Sequence, residues 1–146
     1  MRVLIMAKEG EQTQEATPPS PEAMAAYQKF NEELVKAGVV LEAGRLQPSS
    51  QGKRVRFDGN KRTVIDGPFT ETKELIAGYW LIQVKSKEEA IEWVKRSPAP
   101  MGPGQDAEIE IRQVFEASDF PAEIFPPEAA AREQAMRDEL QKAAKR

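Results

Sequence analysis

The chain contains neither histidine nor cysteine among its 146 residues. Without histidine it lacks the side chain that most often acts as a general base near neutral pH and most often ligates a metal. Without cysteine it can form no disulfide, thiolate metal site or thiol nucleophile. Any proton chemistry must therefore run on Asp, Glu, Lys, Tyr or Arg. No metal or other cofactor is expected, because zinc and the transition metals favour the two missing ligands. Positive charge is also scarce: 21 Lys and Arg against 24 Asp and Glu leave a formal charge of −3. Nucleic acid is accordingly not an expected partner, since its binding draws on clustered basic residues that displace counterions. Long apolar runs are missing too. Val3-Leu4-Ile5-Met6 near the start is far too short for a signal peptide or a membrane span, so a cytoplasmic protein with no membrane partner is expected.

What is present suits one buried core: 40% of residues are hydrophobic and 31% charged. Val3 to Met6 reads as a short strand, followed by a polar loop from Glu9 to Pro19. Ser20-Pro21-Glu22 then supplies an N-cap, a first-turn proline and an acidic first turn. Ala23, Tyr27, Phe30, Leu34 and Ala37 follow at helical spacing, and Gly38 is placed to end the helix. Val39 to Leu46 reads as a strand, Arg54–Phe57 and Arg62–Ile65 as a hairpin around Asp58-Gly59, and Tyr79 to Val84 as a further strand. Ser86 and Glu89 have the spacing of a capping box ahead of Ala90, Ile91 and Val94, in a helix that runs to Pro98. A Pro/Gly-rich loop over 98–105 leads to a last strand, Ala107 to Val114.

This order describes two βαβ units with an inserted ribbon, hence an α+β domain with a ferredoxin-like sheet. Helices cover one face of such a sheet, and a second copy of the chain is the simplest cover for the other, so a homodimer is expected. Beyond Asp119-Phe120-Pro121 the composition turns to Ala, Glu, Arg and Lys. Glu128/Arg132, Glu133/Arg137 and Asp138/Lys142 stand four apart with the acid first, and Ala129, Met136, Leu140 and Ala143 form a thin apolar seam that would pack on the body or on a partner. The expected organisation is a domain over 1–115 and an extension over 116–146 that comprises a linker and then a helix.

Asp66-Gly67-Pro68-Phe69-Thr70-Glu71-Thr72-Lys73-Glu74, followed by Gly78-Tyr79-Trp80, is the most distinctive segment. Asp-Gly-Pro is first of all a turn: Asp can accept from backbone donors two residues on, Gly takes unusual dihedrals, and Pro fixes φ. A functional reading makes Asp66 the candidate catalytic carboxylate, with Glu71 and Lys73 aimed beside Tyr79, where a carboxylate and an ammonium could exchange a proton with a bound acid or phenol. Arg54 and Arg56 share a face of the ribbon and could grip an anionic ligand, although charges on an edge ribbon also serve to prevent aggregation. Gly67, Pro68 and Phe69 complete the candidate ligand-binding set. Tyr27, Phe30, Trp80 and Trp93 fall on faces that must be buried and read as packing.

The segment resembles the signature of the YCII-related family in its DGPF-motif branch. Similar residues recur at Val39–Leu46 with Pro48, at Val55-Arg56, at Ala90-Ile91-Glu92-Trp93 and in the Glu108–Arg112 strand, so the resemblance covers about residues 1–115. It implies a dimeric α/β barrel in which two sheets pack face to face and leave clefts at the rims. It also implies a site like that of the family's enzyme for a chlorinated hydroxyquinol, for which a His/Asp pair is proposed. The histidine is absent here, and only Asp66 could play the acidic part. Two functions follow as expectations: a protein that binds or transforms a small molecule in a cleft of the homodimer, or a noncatalytic accessory protein. The second would act through a protein partner, as in regulation linked to extracytoplasmic-function sigma factors.

Overall fold

The computed structural model describes residues 1–9, 19–100 and 107–144. Most of the loops expected over 9–19 and 98–105 lies outside the described residues. Two compact units result, Met1–Val114 and Phe115–Arg146.

In the first unit, strand β1 (Arg2–Lys8) leads to helix α1 (Pro21–Lys36) and strand β2 (Val40–Arg45). A ribbon of β3 (Lys53–Asp58) and β4 (Lys61–Asp66) comes next, then β5 (Ile76–Gln83), α2 (Lys87–Lys95) and β6 (Ile109–Gln113). The sheet order is β2-β5-β1-β6 with antiparallel neighbours throughout, so each βαβ unit is split by a strand from the other half, as in a ferredoxin-like fold. No described helix is long and apolar enough to cross a membrane.

Helix ends follow local chemistry. The Ser20 hydroxyl accepts from the Ala23 N–H at 3.1 Å with Pro21 at the first helical position, and Gly38 at φ +72° carries the chain out of α1 in a conformation that L side chains rarely adopt. At α2 the expected capping box forms only in part. Ser86 Oγ accepts from the Glu89 N–H, but the Glu89 carboxylate turns to the N–H of Lys85, one residue before the cap. Gly59 at φ +59° closes the hairpin where the Asp-Gly pair placed it.

The core lies between the sheet and its two helices. Val3, Ile5, Trp80, Ile82 and Val84 meet Phe30 and Leu34 of α1 and Ala90 and Trp93 of α2. Trp80 is central to it: its ring lies 5.4 Å from Tyr27 and 5.5 Å from Phe30, and its indole N–H donates to Asn31 Oδ1 at 2.7 Å. Burial pushes the Tyr27 phenol up, opposed by the Arg45 charge and a hydrogen bond with Asn31. The alternate residues Leu4, Met6, Tyr79 and Leu81 belong to the opposite sheet face and pair across β1 and β5, Leu4 with Leu81 and Met6 with Tyr79.

The second unit holds a short 3-10 turn, Ala117–Asp119, and helix α3 (Pro127–Ala144). Of the three expected ion pairs, Glu133 and Arg137 meet at 2.8 Å, while Asp138 instead accepts from Gln134. In the single chain Met136 and Leu140 of the seam are exposed, and no residue of α3 is fully covered.

Leu34, 1% exposed, is the largest aliphatic contribution of α1 to the core. Leu34→Ala is expected to cost about 2–5 kcal/mol in urea unfolding, as cavity-forming substitutions do.

Candidate functional site

The Asp-Gly-Pro-Phe turn leaves the end of β4 and docks on a short 3-10 turn, Ser49–Gln51, that precedes β3. Ser49 is the hub of this contact. It is buried, its hydroxyl accepts from the Phe69 N–H at 3.2 Å, and its carbonyl oxygen stands where a Cβ at position 67 would have to go. Glycine at 67 is therefore set by close approach of two backbones, and the Gly67 N–H donates to the Gly52 carbonyl at 3.0 Å. The Gly67-Pro68 peptide is cis.

Asp66 takes a different place from the one expected of a turn-capping residue. Its carboxylate pairs with Lys53 Nζ at 2.6 Å across the base of the ribbon, with both side chains largely exposed. The Phe69 donor that an Asp cap would have taken goes to Ser49 instead. An exposed pair of this kind contributes only about 0–1 kcal/mol. Arg54 lies with its guanidinium 3.8 Å above the Phe69 ring, which forms a cation–π platform beside Gly52. Arg56 follows on the same ribbon face, opposite Thr63. Glu71 precedes the 3-10 turn Thr72–Glu74, which contains Lys73, and its carbonyl accepts from the Glu74 N–H. Tyr79 is engaged separately, on the open sheet face. Its hydroxyl donates to Glu42 Oε1 at 3.0 Å and its ring covers Gly44. The hydrogen bond to the Glu42 carboxylate, first among the causes, pushes the phenol up.

Sequence reasoning passed over Glu9, which it placed at the start of a polar loop. Glu9 is 7% exposed, and its backbone N–H donates to the Leu75 carbonyl at 2.8 Å. Its Oε2 is buried and has no hydrogen-bond partner among the described residues. Burial pushes the Glu9 carboxyl above its usual range, and a hydrogen bond from the Ser49 backbone opposes the rise. One carboxyl thus shares Ser49 with the Asp-Gly-Pro-Phe turn. The only sequence signal was its position directly after β1, where the next residue must leave the sheet. An open groove of about 280 Å³ adjoins this end of the sheet, lined by Lys8, Glu108, Ile109 and Glu110, none of them singled out as a site residue from the sequence. Among the described residues no acidic group of three or more could hold a metal ion.

The raised Glu9 pKa has a definite sign for stability. Between the ordinary value of 4.5 and the higher folded value, the native state binds the extra proton, so this group's contribution to stability falls as pH rises through that window. Glu9→Gln should therefore raise the urea midpoint at pH 7 and change it little at pH 4. An equal gain at both pH values would remove the buried charge as the cause.

Comparison with known proteins adds three findings. An uncharacterized protein of Rhizobium meliloti (strain 1021) is 36% identical over 61 residues, which is 42% of this chain and about half, 49%, of the length of that curated relative. Among solved structures, the 5-chloro-2-hydroxyhydroquinone dehydrochlorinase of Burkholderia phenoliruptrix AC1100, in complex with 2,5-dihydroxybenzoquinone, superposes with a TM-score of 0.46. That match is at 16% identity and covers 83% of this chain and all of that one, a likeness too slight to carry any argument. Residues 1–118 match the YCII-related domain, and the chain belongs to that family.

Proposed function

We propose that this chain, as a member of the DGPF-motif branch, binds or transforms a small anionic or phenolic molecule in clefts of a homodimer formed through the open sheet face. The observation that carries the reading is the buried Glu9 carboxyl, held against the Ser49 hub of the turn with one oxygen unpartnered among the described residues. A carboxyl whose pKa is raised by burial holds its proton to higher pH than an ordinary glutamate and can donate it, or a hydrogen bond, over that added range. The Arg54 guanidinium on Phe69 supplies positive charge and a flat surface on the same turn, suited to a carboxylate or an aromatic ring. Asp66, held by Lys53, keeps the ribbon base in register and presents a second carboxylate next to that platform in sequence. Glu71 precedes and Lys73 lies within the adjoining 3-10 turn, whereas Tyr79, bonded to Glu42, stands apart from them on the open sheet face. The dimer reading is supported by Leu4 and Leu81, cross-strand neighbours on the sheet face turned away from the helices.

A thermal-shift screen of the full chain against aromatic acids and phenols tests the ligand. A hit should raise the Tm of the parent by mass action, and its affinity should fall at least about tenfold in Arg54→Ala and in Glu9→Gln, a loss equivalent to one good charged contact. Binding unchanged in both variants would sink this site. Light scattering at micromolar concentration is expected to report a dimer, and Leu81→Arg a monomer.

A further inference from the structure

The open sheet face carries opposite charges at its two edges and an apolar centre between them. Register across the four strands sets Glu42, Leu81, Leu4 and Arg112 in one row, from the β2 edge to the β6 edge. The next row reads Gly44, Tyr79, Met6 and Glu110. Leu4 and Leu81 are half-buried, whereas Glu42 is exposed and the Arg112 side chain is 74% exposed. Glu110 is held by Lys8 at 3.2 Å, but Arg112 reaches Glu110 only through a loose 3.9 Å contact. Among the described contacts Glu42 uses a single oxygen, Oε1, to accept from Tyr79. The first row therefore ends in a carboxylate on one edge and a guanidinium on the other, each with hydrogen-bonding capacity to spare.

Two copies packed face to face can be related by a two-fold axis that runs across the strands or along them. Across the strands, the β2 edges meet each other and so do the β6 edges, which sets Glu42 against Glu42 and Arg112 against Arg112. Along the strands, the β2 edge of one copy lies over the β6 edge of the other, and each row meets its own reverse. Glu42 then faces Arg112, Leu4 faces Leu81, and Glu110 faces Gly44, which presents no second carboxylate. Opposed like charges are costly and opposite ones favourable, so the edges select the axis along the strands. We infer that two copies pair through their open sheet faces about an axis along the strands, with Glu42 of each on Arg112 of the partner subunit. This inference rests on the homodimer reading and names what orients the two copies. It also brings the partner's β2 edge over the groove lined by Lys8, Glu108 and Glu110, so that each groove is walled by both copies.

With no native cysteine in the chain, the facing positions can be read directly. Full-length Glu42→Cys and Arg112→Cys chains are mixed until subunits exchange and treated with a short bis-maleimide, whose reach suits the roughly 10 Å between sheets packed face to face. The mixture is expected to give a covalent dimer on a denaturing gel, and each variant alone far less of it. Sedimentation equilibrium should show the dimer dissociation constant raised at least about tenfold by Glu42→Arg, which acts at two contacts, and brought back toward the parent in Glu42→Arg/Arg112→Glu. Circular dichroism of both variants should match the parent. If Glu42→Cys alone cross-links as well as the mixture, or the double reversal dimerises no better than Glu42→Arg, the axis is overturned and the sheet-face dimer stands. If the parent is dimeric but no pair of these positions cross-links between copies, or if the parent is monomeric, the sheet-face dimer falls as well.

Discussion

Trp80 occupies the middle of β5, and β5 lies between β1 and β2, so one side chain meets both neighbouring strands and α1 at once. Its indole N–H must have a partner once buried, and Asn31 provides it from the helix directly above. That bond fixes where α1 lies along the sheet. The Tyr27 and Phe30 rings then fill the space on either side, and α2 is seated through Trp93 against Phe30. Both helices are thereby committed to one face. The alternation that turns Trp80 and Ile82 toward the helices turns Tyr79 and Leu81 away from them, and this asymmetry underlies the proposed assembly.

Ser49 plays a comparable part at the edge of the first unit. A small buried residue there lets two loops approach until backbone touches backbone, with glycine at 67 as the matching requirement. The same residue faces Phe69 through its hydroxyl and Glu9 through its main chain. The signature turn is thus anchored by partners far away in sequence. Its acidic first residue is left to pair with Lys53 at the surface, where solvent keeps the energy of the pair small. The chemically unusual carboxyl belongs to Glu9, because burial rather than motif membership is what moves a pKa.

Much of the architecture was legible before the fold was seen. Cap residues Ser20 and Ser86, the glycine after α1, the Asp-Gly hairpin and the strand alternations are local signals, each governed by chemistry within a few residues. The seam of α3 is a signal of another kind. Helical periodicity gave the helix itself, but periodicity does not say whether enough apolar volume exists to bury a face, and Met136 and Leu140 remain exposed.

By itself the sequence determined the order of elements, the ferredoxin-like class, the reliance on Asp, Glu, Lys, Tyr or Arg for any proton chemistry, and the family to which the chain belongs, since all four follow from composition, period and motif. Tertiary structure alone decided which carboxyl is buried, that Ser49 and not Asp66 ties down the turn, and that the ribbon presents Val55, Phe57 and Val64 without a cover. The physical reason is that burial and hydrogen-bond partnership join residues some twenty to forty positions apart, such as Phe69 with Ser49, and no local pattern in a single sequence records such meetings.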